Sequence, residues 1–154
     1  MTPDKLHLKR MTAEMLKGVG GLDEATKFCR LQKSTLSDNQ SVNKPESFVA
    51  LDVIADLEPL ARDRDGWPHV TRALAATMGF VLVKVPEAPA TCADLLGLIG
   101  RHAKEGGDVS QSVCKALSDG VVGRSEATEI RTEIRHQMEV LAAMDAAMAL
   151  VESD

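Results

Sequence analysis

From Ile130 to Val151 the chain repeats an apolar residue at alternating steps of four and three: Ile130, Ile134, Gln137, Leu141, Met144, Met148 and Val151. Six of these seven positions are apolar, which is the signature of a helix with a heptad seam. With Ser125 as the cap, this predicts the longest helix of the chain, ending near Val151. Met138, Ala142, Ala146 and Ala149 widen the stripe beyond what two short preceding helices would cover. The expectation is self-association as a dimer or tetramer through Ile130, Ile134, Gln137, Met138, Leu141, Met144, Met148 and Val151, with the Gln137 amide setting register. The alternative is a helix that covers only its own neighbours.

A chain with such an end needs packing partners of the same kind. Hydrophobic residues make up 44% of the 154 but aromatics only 3%, so the core must be built of Leu, Val, Ile, Ala and Met, which suits packed helices. Thr91 is expected to cap a helix with Leu95, Leu96, Leu98 and Ile99 inward, stopping at Gly106-Gly107. Asp108 and Gln111 then resemble a capping box for a second helix with Val109, Val113 and Leu117. Phe80–Val85 is the one segment that reads as a strand, to lie on the helices or pair with its counterpart in a second copy. Pro86–Ala90 reads as a stiff linker. The predicted architecture is all-α: an N-terminal helical bundle over 1–85 with a short β segment at 80–85, a linker over 86–90 and a helical oligomerisation domain over 91–154.

At the N-terminus, Thr2-Pro3-Asp4 is a helix start, and Leu8, Met11, Met15 and Val19 recur at helical spacing with Lys5, Lys9 and Arg10 expected outside. Gly18-Val19-Gly20-Gly21 stops that helix; no buried strand precedes it to make it a nucleotide loop. Gly20–Ser41 then reads as helix, tight turn, helix. Leu22 to about Cys29 places Leu22, Ala25, Phe28 and Cys29 on one apolar side, Leu31 fills the turn, and Leu36 anchors the second helix. Gln32, Lys33, Ser34, Thr35, Ser37 and Asp38 lie at or near the start of that second helix, where a recognition helix meets base edges and phosphates. Arg30 stands where such turns often carry glycine, and Asn39 where an apolar residue would dock the helix. Downstream, a helix opened by Pro45 is expected to seal the bundle through Phe48, Leu51, Val53 and Ile54, with Trp67 packing at the domain edge.

Charge divides the chain in the same way. Residues 1–44 hold eight Lys/Arg against five Asp/Glu, while residues 45–154 hold ten against eighteen, so a net charge of −5 conceals a basic N-terminal part. Such a part can attract phosphates while the acidic remainder limits non-specific binding. Cys29, Cys92 and Cys114 are odd in number and far apart, which fits reduced, buried thiols. His7, His69, His102 and His136 have no metal-ligand spacing with each other or with cysteine, so neither a metal site nor a cofactor is expected. No nucleophile elbow or other catalytic constellation is present in the sequence, and no enzyme activity is expected. No apolar run is long enough for a membrane span and the start lacks the apolar core of a secretion signal, so the expected location is cytoplasmic.

The stretches GVGGLDEATKFCRLQKSTLS, PESFVALDVIADLEPL, WPHVTRALAATMGFVLVKVP and GDVSQSVCKALSDGVVGRSEATEI, in that order, resemble the phage CII-type regulatory proteins of P2-like temperate phages and their prophage relatives. That resemblance implies a helix-turn-helix transcription regulator that binds promoter or operator DNA as an oligomer. It puts DNA contact on Gln32, Lys33, Ser34, Ser37 and Asp38, with Thr35 as an addition. Repression needs only promoter occupancy and is slightly favoured; activation would require contact with RNA polymerase. The competing class is a protein-interaction module, such as an antitoxin or phage adaptor, whose polar second helix meets protein.

Overall fold

The computed structural model describes residues 1–86 and 94–153, with the backbone alone for Ser153. Among these residues it contains seven α-helices and one 3-10 turn, and no strand. The chain divides into two compact units, Met1–Leu82 and Val83–Asp154. None of its helices is long and apolar enough to cross a membrane among the described residues. The expected linker beyond Pro86 and the Thr91 cap, together with Cys92, lie outside those residues.

The first unit is set by α1 (Pro3–Gly18). Thr2 caps it by accepting the Lys5 amide at 3.4 Å, with Pro3 in the first turn. It stops where the glycines predict: the Gly21 amide donates to the Leu16 carbonyl and the Gly20 amide to that of Lys17, with Gly20 at φ 106°. This Schellman closure needs a left-handed residue that glycine adopts without strain. Met15 and Leu16 from α1 meet Ala25 of α2 (Leu22–Ala25), Leu36 of α3 (Lys33–Gln40) and Val53, Ile54 and Leu57 of α4 (Leu51–Leu57) in one buried cluster. Gly18 lets α1 approach the following 3-10 turn (Glu58–Ala61), since a Cβ there would stand 2.7 Å from the Ala61 Cβ.

Glu58 is a buried carboxylate placed at the start of α5 (Val70–Thr77). It accepts the amides of His69, Val70 and Thr71 and the Thr71 hydroxyl, so one side chain from another element serves as the cap that α5 lacks locally. Trp67 packs against the core and its indole N–H donates to the Glu58 carbonyl at 2.8 Å, a packing role as expected.

Several expectations for this unit are corrected. The helix after Pro45 begins only at Leu51, whose side chain is exposed; Val53, Ile54 and Leu57 carry the burial. The helix predicted to run to Cys29 ends at Ala25, which leaves Phe28 half exposed in the following turn. Phe80–Val85 forms no strand. Its β-branched residues suit a strand only if a neighbour completes the hydrogen-bond ladder, and among the described residues none does. Phe80, Val81, Leu82 and Val85 are exposed instead.

The second unit is a hairpin of α6 (Leu95–Ala116) and α7 (Arg124–Ser153). Lys115 lies 3.7 Å from Glu129, and Leu98 packs with Val140 and Ala143, so the helices run antiparallel. Two expected helices are thus one: α6 continues through Gly106-Gly107, and Asp108 is no cap. Gly106 serves packing there, because a Cβ would stand 3.1 Å from the Gln137 amide nitrogen of α7. Helix α7 begins one residue before Ser125, and the Glu126 carboxylate accepts the Gly123 amide at 2.8 Å as its cap.

The seam on α7 is divided. Val140 and Ala143 pack with Leu98 of α6, and they and the buried Ala147 each lie one residue before Leu141, Met144 and Met148 of the predicted seam. Ile130, Gln137, Met138 and Met144 are partly covered, whereas Ile134, Leu141, Met148 and Val151 keep 39, 45, 41 and 55% of their surface exposed. Cys114 is exposed on α6, contrary to the expectation of a buried thiol, while Cys29 is half-buried against the first core.

Candidate nucleic-acid interface

The residues predicted to contact DNA lie on and just before α3. Gln32 is the extended residue before the helix, and Gln32, Lys33, Ser34 and Thr35 are all exposed. Ser37 and Asp38, further along, are half-buried. The structure therefore gathers four of the six predicted contact residues at the N-terminal turn, with the other two closer to the body of the unit. No side chain caps this helix start, which leaves its backbone amides for a ligand or water.

Leu36 and Asn39 form the buried side of α3. Asn39 stands where an apolar docking residue was wanted, and it docks by hydrogen bonding: its Oδ1 accepts the Ser47 hydroxyl at 2.7 Å. Next to it lies the residue that sequence reasoning missed. Lys9, expected on the outside, is 0% exposed. Its ammonium donates to the backbone carbonyls of Asp38 at 3.4 Å and Asn39 at 3.1 Å, and also to that of Ser47.

Those carbonyls include the last acceptors of α3, where the helix leaves oxygen atoms without intrahelical partners and the dipole is negative. A lysine there ties α1 to the end of α3 and holds the Phe48 ring 4.7 Å from its charge. Burial pushes its pKa below the ordinary lysine value, opposed by attraction to Asp38. The available signal was its phase: Lys9 shares its stripe on α1 with Thr12 and Leu16, both buried.

The turn before α3 is fastened by charge. The Arg30 guanidinium grips Asp52 of α4 through two bonds, Nε to Oδ2 at 2.6 Å and Nη2 to Oδ1 at 3.1 Å. Arg30 holds the Asp52 carboxyl below the usual range, chiefly by that hydrogen bond. No described non-glycine residue has positive φ, so the turn has no need of glycine at position 30. Two more cations of this region also meet acids: Lys27 pairs with Glu24 at 2.6 Å and Lys33 with Asp23 at 2.7 Å. Exposed pairs of this kind contribute little stability. Lys5, Arg10 and Lys44 add exposed cations, whereas Lys9, counted in the basic N-terminal part, is used inside.

The α6–α7 hairpin presents a different surface. Ile134, Leu141 and Met148 are spaced by sevens and form one exposed apolar line along α7, and Leu96 and Ile99 are exposed on α6.

No curated protein matches the chain, and no solved structure does. A family model described as phage regulatory protein CII (CP76) matches residues 66–150, which include α5 and α6 and nearly all of α7. More than half of the chain is covered, including two of the four stretches that carry the resemblance but not residues 20–41, and the protein belongs to the phage regulatory protein CII family.

Proposed function

We propose that this phage regulator binds promoter DNA sequence-specifically as a dimer or higher oligomer. The α2–turn–α3 segment acts as its helix-turn-helix and the α6–α7 hairpin as its assembly unit. The observation that carries the reading is the form of α3: one buried side anchored by Leu36, Asn39 and Lys9, and an exposed uncapped start bearing Gln32, Lys33, Ser34 and Thr35. A helix held at its far end and polar at its near end suits insertion into a major groove. In this role Gln32 and Ser34 read base edges, Lys33 leaves Asp23 for a phosphate, and Thr35, Ser37 and Asp38 flank the contact.

The hairpin supports pairing of readers. Its buried apolar residues are few and mostly small, yet Ile134, Leu141 and Met148 remain exposed in one line. Burying such a line against a second copy would contribute on the order of 1 kcal/mol per residue. Two paired readers would then grip half-sites about one helical turn, or a multiple, apart. Occupancy of a promoter is sufficient for repression, the favoured outcome; activation would add a contact with RNA polymerase. No catalytic role is assigned.

A protein-interaction module, such as an antitoxin or phage adaptor, is favoured by one observation, the pairing of Lys27, Arg30 and Lys33 with acids. Binding of the full chain to its own upstream DNA and to scrambled DNA across a salt series separates the two. The proposal expects sequence preference, steep salt dependence and, for Lys33→Ala, a salt slope lower by about 1 with weaker binding to all sequences. Gln32→Ala should relax preference at one base pair. Absence of any sequence preference by a folded protein would overturn the operator model in favour of the interaction module.

A further inference from the structure

On α6 and α7 three side chains with metal-binding donors converge. Glu105 comes from α6, and Glu133 and His136 from α7, where a spacing of three places them on one side of the helix. One donor atom from each lies within 4.8 Å of the others. The His136 Nδ1 stands 3.4 Å from the Glu133 Oε2 and 4.0 Å from the Glu105 Oε2. Around a tetrahedral zinc ion with bonds of about 2.0–2.1 Å, neighbouring ligand atoms lie about 3.3 Å apart, so small side-chain adjustments close the set.

The two carboxylates are mostly covered, at 17 and 25% exposure, and like charges brought together under cover favour a cation between them. Lys104 lies on the opposite oxygen of Glu105, 3.3 Å from Oε1, and also pairs with Asp108, so Oε2 is the atom turned to the imidazole.

We propose that Glu105, Glu133 and His136 form a binding site for a divalent transition-metal ion, with zinc as the best match to one imidazole and two carboxylates. The imidazole selects against magnesium and calcium, which take oxygen ligands. An ion there joins residues 28 positions apart along the chain and fastens α6 to α7 in a hairpin whose apolar core is small. The ligands were hidden in the sequence because they come from two helices. The site does not depend on the DNA-binding reading.

The test is calorimetric titration of Zn²⁺ into the chelator-stripped full chain, in excess Mg²⁺, beside His136→Ala, Glu133→Gln and the control Cys114→Ser. The expected result is one zinc per chain, affinity weaker by at least about tenfold in both ligand variants and unchanged in the control, and a zinc-dependent rise in Tm that the ligand variants lose. Circular dichroism verifies that each variant keeps its helices, with Glu105→Gln replacing any that does not. No zinc uptake at micromolar concentration, uptake that survives the ligand substitutions, or displacement by Mg²⁺ would overturn the site.

Discussion

The two units of this protein solve the same problem, burying apolar helix faces, to different degrees. In the first, Met15, Leu16, Leu36, Val53 and Leu57 are buried together, and the buried charges Lys9 and Glu58 have their donors and acceptors met by backbone groups. In the second, Leu98, Val140 and Ala143 form a small cluster while Leu96, Ile99, Leu141 and Val151 remain exposed. A two-helix hairpin with so little buried surface is marginal by itself, whereas a helical bundle with a full core and capped ends is not. The difference matches the proposed division of labour: a rigid reader that holds one helix in place, and an assembly unit that gains its stability from a second copy.

Leu57→Ala should break the comparison most strongly, at a cost of about 2–5 kcal/mol to the first unit from lost burial and a residual cavity. Hydrogen exchange resolved by unit should show the loss over residues 1–82 and leave α6 and α7 unchanged; equal loss in both would mean that the units unfold as one. Lys9→Met keeps the length of the side chain but leaves the carbonyls of Asp38, Asn39 and Ser47 without their donor. About 1–3 kcal/mol of destabilisation is expected, with exchange accelerated in α3 first.

In the second unit the sign reverses. Gly107 lies inside α6 with open space where a Cβ would go, so Gly107→Ala should stabilise the hairpin by about 0.8–1 kcal/mol through helix propensity. A fall in stability would restore the helix break expected from the glycine pair.

The smallest effect concerns acid. Hydrogen bonds from Lys17 and then Arg64 lower the Glu14 pKa to about 2 from 4.5. A carboxylate depressed in the folded state stabilises above its unfolded pKa, and that contribution is lost as pH falls from about 4.5 toward 2. Because Glu14 is partly exposed the contribution is small. Arg64→Ala should raise the Glu14 pKa, measured by NMR titration, and shift acid unfolding of the first unit slightly upward in pH.

Local signals were legible in the sequence. Thr2-Pro3-Asp4 and Gly20-Gly21 bound α1 because caps and left-handed glycines act within a few residues, and Leu36 was recognisable as the single large apolar residue of α3. Long-range partners were not. Lys9 looks like a surface cation until Asp38, Asn39 and Ser47 are brought to it, and Gly106 looks like a break until Gln137 lies across it. Phe80–Val85 has strand propensity without a strand to pair with. In α7 the heptad drew attention to the larger side chains, but Val140 and the small Ala143 pack with Leu98 of α6 and displace the intrachain face by one position. Four of the predicted contact residues fall on the exposed helix start because Leu36, the single large apolar residue, already fixes which side of so short a helix is buried.

The most direct measurement is sedimentation equilibrium of the full chain over a wide concentration range, beside Leu141→Glu. A dimer or higher oligomer is expected for the natural sequence and a monomer for the variant, with the helices of the first unit retained. A monomer at every concentration with the α6–α7 hairpin fully helical, or an oligomer untouched by a charge at position 141, would contradict the proposed assembly.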